Sequence, residues 1–233
     1  MGWPVPPAAS PDEVRLREFL GYADLMLCVY LGTDPAPPYW QIDEAADART
    51  GFRAGVYRGP QGQIVVSFGG TDMASRADWG VAVRGVTAVT SQDVQAVELA
   101  RRAVDDYAQA SVVFTGHSLG GRLAAEASLA TGRAAVTLNA AGLPRAATHF
   151  AGDAQDPRAR ARVLAYELST DPLTKAQRRP WLPSAFGTRV RLPGAKGTSM
   201  AVAHSIQAAQ AAAQALLDRR EFSIYAGLDV TAG

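Results

Sequence analysis

The chain has 233 residues, of which 48% are hydrophobic and 19% are charged, and its formal net charge is +1. This composition indicates a compact globular fold and excludes a disordered chain, and the length predicts one domain over residues 1–233. Basic residues do not form a stripe, so nucleic acid is not an expected partner. Because Cys28 is the only cysteine, the sequence excludes an internal disulfide and a cysteine-rich metal site, and we expect no metal and no cofactor.

No apolar run reaches the length of a membrane span, and residues 1–10 have neither a basic start nor an apolar core. A classical signal peptide needs both of these last two features. The sequence therefore predicts a cytoplasmic protein, or one exported by a secretion system that does not use a signal peptide. It makes no prediction of oligomeric state.

The first predicted element is a helix over residues 10–31. Ser10-Pro11-Asp12-Glu13 is a capping box with proline at the first helical position, apolar residues follow at helical spacing, and Gly32 ends the helix. Three prolines between residues 33 and 40 then predict an extended loop.

The catalytic core is expected over about residues 50–218, where apolar strand patterns alternate with helical ones. The turn Gly59-Pro60-Gln61-Gly62 joins two apolar runs into a β-hairpin, and helices link the later strands as in parallel crossover units. The predicted strands are 52–56, 64–68, 112–115, 134–138 and 163–168, and the predicted helices are 78–89, 91–110, 122–127 and 203–217. This alternation predicts an α/β fold with a doubly wound, mostly parallel sheet and flanking helices.

The hexapeptide Gly116-His117-Ser118-Leu119-Gly120-Gly121 lies between an apolar strand pattern and an alanine-rich helical pattern. A serine on a tight strand-to-helix turn needs glycine neighbours, and the turn places its hydroxyl beyond the edge of the sheet. The first N–H groups of the helix, beginning with that of Leu119, point toward an anion beside this hydroxyl. The hexapeptide therefore predicts a nucleophile elbow with Ser118 as the nucleophile and Leu119 in the oxyanion hole.

A serine nucleophile needs a base within hydrogen-bond reach, and the chain has three histidines. His117 adjoins the nucleophile, so its side chain points away from the hydroxyl and a packing or hydrogen-bonding role is expected. His149 lies in a loop before any credible acid, and a solvated side chain is expected there. His204, at the start of the last predicted helix, fits the chain order of nucleophile, acid and histidine, and we predict that it is the base.

The acid that orients this histidine is predicted at Asp171. An apolar strand over 163–168 leads to Asp171-Pro172, and active-site groups of open α/β sheets lie beyond the carboxyl ends of the strands. An Asp-Pro pair is also a common turn starter, which is the alternative role for this residue. Glu167 and Asp156 remain competing candidates for the acid.

Four segments carry a family resemblance. Ile64-Val65-Val66-Ser67-Phe68-Gly69-Gly70-Thr71 is similar to a strand that ends in Phe-Arg-Gly-Thr, and Asp78-Trp79 is similar to the Asn/Asp-Trp that follows it. Thr115-Gly116-His117-Ser118-Leu119-Gly120-Gly121 and Leu138-Asn139-Ala140-Ala141-Gly142-Leu143-Pro144 are similar to the elbow and to the next strand and loop of the same family. Over about residues 50–205 the chain resembles the class 3 lipases of the α/β-hydrolase fold and their bacterial relatives.

The resemblance implies an α/β-hydrolase with Ser118, Asp171 and His204 as its catalytic triad. It also implies that the backbone amide of Thr71 joins the N–H of Leu119 in the oxyanion hole.

The chain departs from this family at two positions. Gly69 stands where these lipases carry arginine, and Arg122 stands where they carry a small residue. Residues 73–89 occupy the place of the lipase lid and mix apolar with basic side chains. This mixture fits transient contact with a membrane surface and ordinary core packing equally well.

Together these features predict a serine carboxyl-ester hydrolase that acts on acyl lipids, a lipase or a phospholipase A, through an acyl-enzyme intermediate. A small-molecule esterase or thioesterase and a non-catalytic binding domain on the same fold are the alternatives. A lipid hydrolase with no signal peptide and no disulfide is also compatible with an effector delivered to another cell.

Overall fold

The computed structural model describes residues 9–70 and 88–226. Within these ranges seven strands form one sheet: β1 (Trp40–Asp47), β2 (Phe52–Arg58), β3 (Ile64–Phe68), β4 (Val112–His117), β5 (Ala134–Leu138), β6 (Val163–Leu168) and β7 (Thr188–Leu192). The helices are α1 (Pro11–Leu31), α2 (Ser91–Asp106), α3 (Leu119–Thr131), α4 (Pro157–Ala161), α5 (Pro172–Ala176), α6 (Met200–His204) and α7 (Ile206–Arg219). Short 3₁₀ turns lie at Pro60–Gly62, Arg145–His149 and Ser223–Tyr225.

The strands lie side by side in chain order, from β1 at one edge to β7 at the other. β1, β2 and β3 pair antiparallel, and every pairing from β3 to β7 is parallel. The predicted hairpin is confirmed, because Arg58 pairs with Ile64 across the predicted turn. The carboxyl ends of the parallel strands therefore share one edge of the sheet, which is where an active site of this fold is expected.

Helices cover both faces of the sheet, as predicted, and side chains of β3 alternate between the two cores. Val65 packs on the face of α1 and α7, whereas Val66 and Phe68 pack on the face of α2 and α3. Strands that are buried on both faces read as continuous apolar runs, which is why the sequence pattern of the parallel strands was so clear.

Helix α1 begins and ends as its sequence predicts. The Ser10 hydroxyl accepts the N–H of Glu13 at 3.1 Å, and Gly32 adopts a left-handed conformation with φ 64° while its N–H donates to the carbonyl of Cys28 at 2.8 Å. In the described ranges no helix has both the length and the apolar character of a membrane span.

The structure corrects several element predictions. Strands β1 and β7 were not predicted, and α2 ends at Asp106 rather than at residue 110. The last helix is two helices, because Ser205 adopts an extended conformation with ψ 151° that ends α6 and caps α7. The Ser205 hydroxyl donates to the carbonyl of Val202 at 2.8 Å and accepts the N–H of Ala208 at 3.2 Å, so it competes with the helical pattern at this point.

Three predictions lie outside the described residues. They are the oxyanion residue Thr71, the Asp78-Trp79 pair with most of the helix predicted over 78–89, and most of the segment 73–89 in the place of a lipase lid.

Candidate active site

Ser118 lies at the turn between β4 and α3. Its backbone has φ 58° and ψ −120°, which is a strained conformation for a residue with a side chain. A Cβ at Gly116 would collide with the carbonyl of Gly120, and a Cβ at Gly120 would collide with the carbonyl of Phe68. The close approach of β3, β4 and α3 that forms this turn therefore requires glycine at both positions.

The main chain of Ser118 is fixed on both sides of the turn. Its N–H donates to the carbonyl of Leu138 at 3.1 Å, and its carbonyl accepts the N–H groups of Gly121 at 3.1 Å and Ala141 at 2.8 Å. The side chain is 1% exposed, and its hydroxyl forms no hydrogen bond with the residues that the structure describes. Buried hydroxyls normally have a partner, so one without a partner in the described ranges suits a role in chemistry.

The geometry around Leu119 suits an oxyanion hole. Leu119 is the first residue of α3, so the helix does not use its N–H, and this group lies directly beside the predicted nucleophile, Ser118. Gly70 lies against the same turn: a Cβ on Gly70 would be 2.7 Å from the carbonyl oxygen of His117 and 3.2 Å from the nitrogen of Gly120. The last described residue before Thr71 is therefore a neighbour of the elbow.

Asp171 and His204 are hydrogen bonded, with Oδ1 and Nδ1 separated by 2.6 Å. Asp171 follows β6, is fully buried, and caps α5, where its Oδ2 accepts the N–H of Thr174 at 2.6 Å. A carboxylate only accepts hydrogen bonds, so Nδ1 of His204 carries the proton and Nε2 has the lone pair that a general base needs. The two residues, 33 positions apart in the chain, thus form an acid–histidine pair.

The imidazole of His204 lies close to the elbow, since its ring centroid is 4.5 Å from that of His117. The Ser118 hydroxyl does not form a hydrogen bond with His204 in this structure. Nucleophile–base hydrogen bonds are often long in free enzymes and tighten when substrate binds. The structure therefore brings the predicted acid and base into contact and places the base beside the predicted nucleophile.

His117 has a hydrogen-bonding role, in line with the role expected for it, and the structure identifies its partners. Its Nε2 donates to the main-chain carbonyl of His204 at 2.7 Å, so its Nδ1 is the acceptor, and the Tyr30 hydroxyl lies 3.3 Å from that atom. Burial, and then the neighbouring His204, lower the pKa of His117 well below its ordinary value. A neutral His117 with a fixed tautomer therefore holds the backbone that carries the predicted base.

The other candidates have different surroundings. His149 is exposed at the end of a 3₁₀ turn, in line with the solvated role expected for it. Glu167 faces Arg189 of β7 at 3.4 Å, and burial raises its pKa. Asp156 caps α4 and accepts the N–H of Arg158 at 2.9 Å. Neither carboxylate contacts an imidazole in the described ranges, in contrast to Asp171.

Arg122, where the resembling lipases carry a small residue, lies in a buried charge cluster behind the elbow. Its guanidinium is 2.7 Å from Oδ1 of Asp93 and donates to the carbonyl of Ala88 at 3.3 Å, and its Nε is 3.8 Å from Oε1 of Glu126. Burial, and then the nearby Asp93, raise the pKa of Glu126 to about 9. One guanidinium therefore neutralises Asp93 while Glu126 stays protonated at neutral pH, and the cluster ties α2 to α3.

No group of three or more histidine, cysteine, aspartate or glutamate side chains in the described part of the chain could hold a metal ion.

Comparison with known proteins gives the family. The model of the phospholipase-like family, described as the Tle-like phospholipase domain, matches residues 34–222. The chain belongs to the Tle-like phospholipase domain family. This membership agrees with the predicted lipase-like resemblance and with the prediction of an ester hydrolase that acts on lipids.

One relative of this Tle-like phospholipase domain is an extracellular phospholipase A1 from Serratia liquefaciens, which is 39% identical over 168 residues. The match covers 69% of the chain and 49% of the relative, so the chain spans about half the length of that protein.

Solved structures confirm the α/β-hydrolase fold of this Tle-like phospholipase domain. A triacylglycerol lipase from Penicillium expansum matches with a TM-score of 0.54 and 17% identity, over 80% of the chain and 82% of the lipase. Lipase II from Rhizopus niveus also matches with a TM-score of 0.54, with 16% identity, over 86% of the chain and 94% of the lipase. At these identities the likeness establishes the fold alone.

Proposed function

We propose that the protein is a serine carboxyl-ester hydrolase that acts on acyl lipids as a lipase or phospholipase A. The observation that carries the proposal is the 2.6 Å hydrogen bond between Asp171 and His204, with the His204 ring beside the nucleophile elbow. Family membership and the phospholipase relative support lipid esters as the substrate class. The catalytic unit is a single α/β-hydrolase domain, because the strands of the described ranges belong to one sheet.

The proposed reaction begins when Oγ of Ser118 attacks the ester carbonyl and Nε2 of His204 takes the hydroxyl proton. Asp171 holds the imidazole in the required tautomer and stabilises the imidazolium that forms. The N–H groups of Leu119 and Thr71 bind the oxyanion of the tetrahedral intermediate. His204 then returns the proton to the leaving alcohol. A water molecule next gives a proton to His204 and attacks the acyl-enzyme carbonyl, and the fatty acid is released as Oγ of Ser118 leaves and takes the proton back from His204.

The surroundings of the predicted base favour an apolar substrate. Met200 and Val202 lie on the short helix that ends at His204, and their exposed fractions are 56% and 50%. Exposed apolar side chains beside an active site suit contact with acyl chains or with a membrane surface. This transient membrane contact is part of the proposal and distinguishes it from a small-molecule esterase.

The decisive test is hydrolysis of p-nitrophenyl butyrate and of phospholipid vesicles by the wild type and by Ser118→Ala. Loss of the nucleophile of a triad lowers turnover by about 10⁶-fold, and we expect a loss of this size with both substrates. A fluorophosphonate probe should label the wild type and not the variant. Equal rates for the two proteins would refute the proposal, and an unlabelled wild type would favour a non-catalytic domain.

We also propose that the protein acts outside the cell that makes it, because the Serratia liquefaciens relative is described as extracellular. A cytoplasmic esterase is the alternative. Directing the wild type and Ser118→Ala to a bacterial periplasm tests this proposal. A growth defect that requires Ser118 supports it, and normal growth with an active enzyme contradicts it.

A further inference from the structure

A cavity of about 510 Å³ lies between the C-terminal end of α1 and the β1–β2 hairpin. It shares a wall with the candidate active site, because Tyr30 lines it and the Tyr30 hydroxyl is 3.3 Å from Nδ1 and 3.4 Å from the carbonyl oxygen of His117. The same hydroxyl lies against Gly70, the residue before the predicted oxyanion residue. The cavity is therefore a direct neighbour of the elbow, and the mechanism proposed above does not use it.

Arg53 provides a positive charge in this cavity. Its guanidinium carbon lies 5.3 Å from the centroid of the Tyr30 ring, and its stem passes over Gly69, where a Cβ would lie 2.6 Å from Cγ and 3.0 Å from Nε. Glycine at position 69, one of the two departures from the resembling lipases, thus leaves the space that Arg53 fills from the neighbouring strand β2. In the described ranges no carboxylate forms an ion pair with Arg53.

The lining of the cavity also has acidic side chains, namely Glu44 of β1 and Asp34 of the preceding loop. The buried side chain of Tyr57 lines it as well. A guanidinium binds phosphate through two parallel hydrogen bonds, and carboxylates attract an ammonium group. The cavity thus has a guanidinium for the negative charge of a zwitterion and carboxylates for its positive charge.

We propose that this cavity binds the headgroup of a zwitterionic glycerophospholipid, with the phosphodiester on Arg53 and the ammonium near Glu44 and Asp34. The proposal rests on the proposed ester hydrolysis and names the substrate of that site. A glycerol backbone separates the scissile ester from the phosphate by a few bonds, which matches a headgroup cavity that shares Tyr30 with the elbow. Arg53 is then a specificity residue that binds the part of the substrate that does not react.

The test compares two soluble substrates that differ only in the headgroup, dihexanoylphosphatidylcholine and dihexanoylglycerol, both below their micellar concentrations. The measured quantity is the ratio of kcat/KM for the phospholipid to kcat/KM for the diacylglycerol. Arg53→Met keeps an aliphatic stem over Gly69 and removes the charge that lies over the Tyr30 ring. A charge-assisted hydrogen bond is worth enough to lower the ratio by about 10- to 100-fold. The matched control is Arg58→Met at the other end of β2, for which the wild-type ratio is expected.

The acidic wall is tested with dihexanoylphosphatidylglycerol, whose headgroup has the phosphate and no ammonium. Glu44→Gln should reduce the preference of the wild type for phosphatidylcholine over phosphatidylglycerol by about 3- to 10-fold, as expected for one partly exposed charge pair. Free glycerophosphocholine should inhibit the wild type more strongly than Arg53→Met.

An unchanged ratio in Arg53→Met overturns the headgroup proposal. The ratio is also unchanged when kcat/KM falls equally with both substrates, and that result would show that Arg53 acts only by packing on Tyr30. Either result leaves the proposed hydrolase intact, provided that Ser118→Ala abolishes hydrolysis of dihexanoylglycerol. If Ser118→Ala hydrolyses dihexanoylglycerol as fast as the wild type, the proposed function itself has failed.

Discussion

Replacing His117 by phenylalanine should slow catalysis although His117 does not contact the reacting atoms. The substitution keeps a planar aromatic ring, which is somewhat larger than the imidazole, and removes the 2.7 Å hydrogen bond that holds the carbonyl of His204. A buried carbonyl without a donor costs about 1–3 kcal/mol, so the free energy of unfolding should fall by about that amount. A base displaced by about 1 Å can cost 10²-fold in rate, and we expect kcat to fall by about 10- to 100-fold with little change in KM.

The assay is hydrolysis of p-nitrophenyl butyrate, with kcat and KM measured separately, beside thermal unfolding of each variant. His117→Gln retains an N–H donor and should recover part of the lost kcat, whereas Tyr30→Phe removes the hydroxyl 3.3 Å from Nδ1 and should show a smaller loss. Tyr30, His117 and the carbonyl of His204 form one chain of contacts. The double variant Tyr30→Phe/His117→Phe should therefore lose less kcat than the losses of the two single variants combined. A folded His117→Phe with wild-type kcat would refute the positioning role.

The pH dependence of stability offers a second readout for His117. Its pKa in the folded protein lies well below the ordinary value of 6.5, so between these two values the unfolded chain binds more protons than the folded chain. Stability should therefore fall as the pH is lowered from 6.5. His117→Phe should remove this part of the acid sensitivity, which chemical denaturation at pH 5 and pH 7 measures.

Three further predictions concern other residues. Between pH 4.5 and about 9 the folded chain retains a proton on Glu126 that the unfolded chain has lost, so the free energy of unfolding should fall with rising pH by at most about 1.4 kcal/mol per pH unit. Glu126→Gln should flatten this dependence when the free energy of unfolding is measured by urea denaturation over the same pH range. An unchanged slope in the variant would show that Glu126 is ionised when buried. Asp171→Asn should lower kcat on p-nitrophenyl butyrate by about 10⁴-fold while thermal unfolding shifts little, because asparagine also caps helices; wild-type turnover would remove Asp171 from the triad. Gly120→Ala should destabilise the fold by about 3 kcal/mol in denaturant unfolding, since its Cβ meets the carbonyl of Phe68. The control Gly132→Ala, at a glycine with φ 72° and open space around it, should cost only about 1 kcal/mol. Equal losses of unfolding free energy in the two variants would contradict the packing argument.

The sequence revealed the parts of the fold that are buried on both sides and missed the edges of the sheet. Strand β1 is mostly exposed and carries acidic residues, so it has neither an apolar run nor a clean alternation. Strand β7 does alternate, with Val190 and Leu192 buried and Arg189 and Arg191 exposed, but five residues are too few for a periodic signal to stand out. Edge strands depend on their neighbouring strands for their structure, and the local sequence does not predict which strands pair.

Some features of the candidate site could likewise be predicted from the sequence, and others could not. The elbow could be predicted because strand, glycines, serine and helix follow one another along the chain, and the Asp171–His204 pair could be predicted from chain order. The contact from His117 to the carbonyl of His204 could not, since any residue supplies a carbonyl and the two positions are 87 residues apart. The fully buried cluster around Arg122 was missed for a related reason: arginine is rarely buried, and its partner Asp93 lies on another helix.

The strained serine is tolerable because the strand ends around it are tied together. Asn139, directly after β5, also has a positive φ, 44°, and its Oδ1 accepts the N–H of Leu168 at 2.9 Å while its own N–H donates to the carbonyl of Tyr166 at 2.8 Å. Ser118 in turn donates to the carbonyl of Leu138, the residue before Asn139. The ends of β4, β5 and β6 thus form one hydrogen-bonded edge, and strain persists only where the surroundings over-determine it. The proposed nucleophile and acid lie on this rigid edge, whereas the proposed base lies on a five-residue helix, so the position of His204 depends on the contacts from Asp171 and His117.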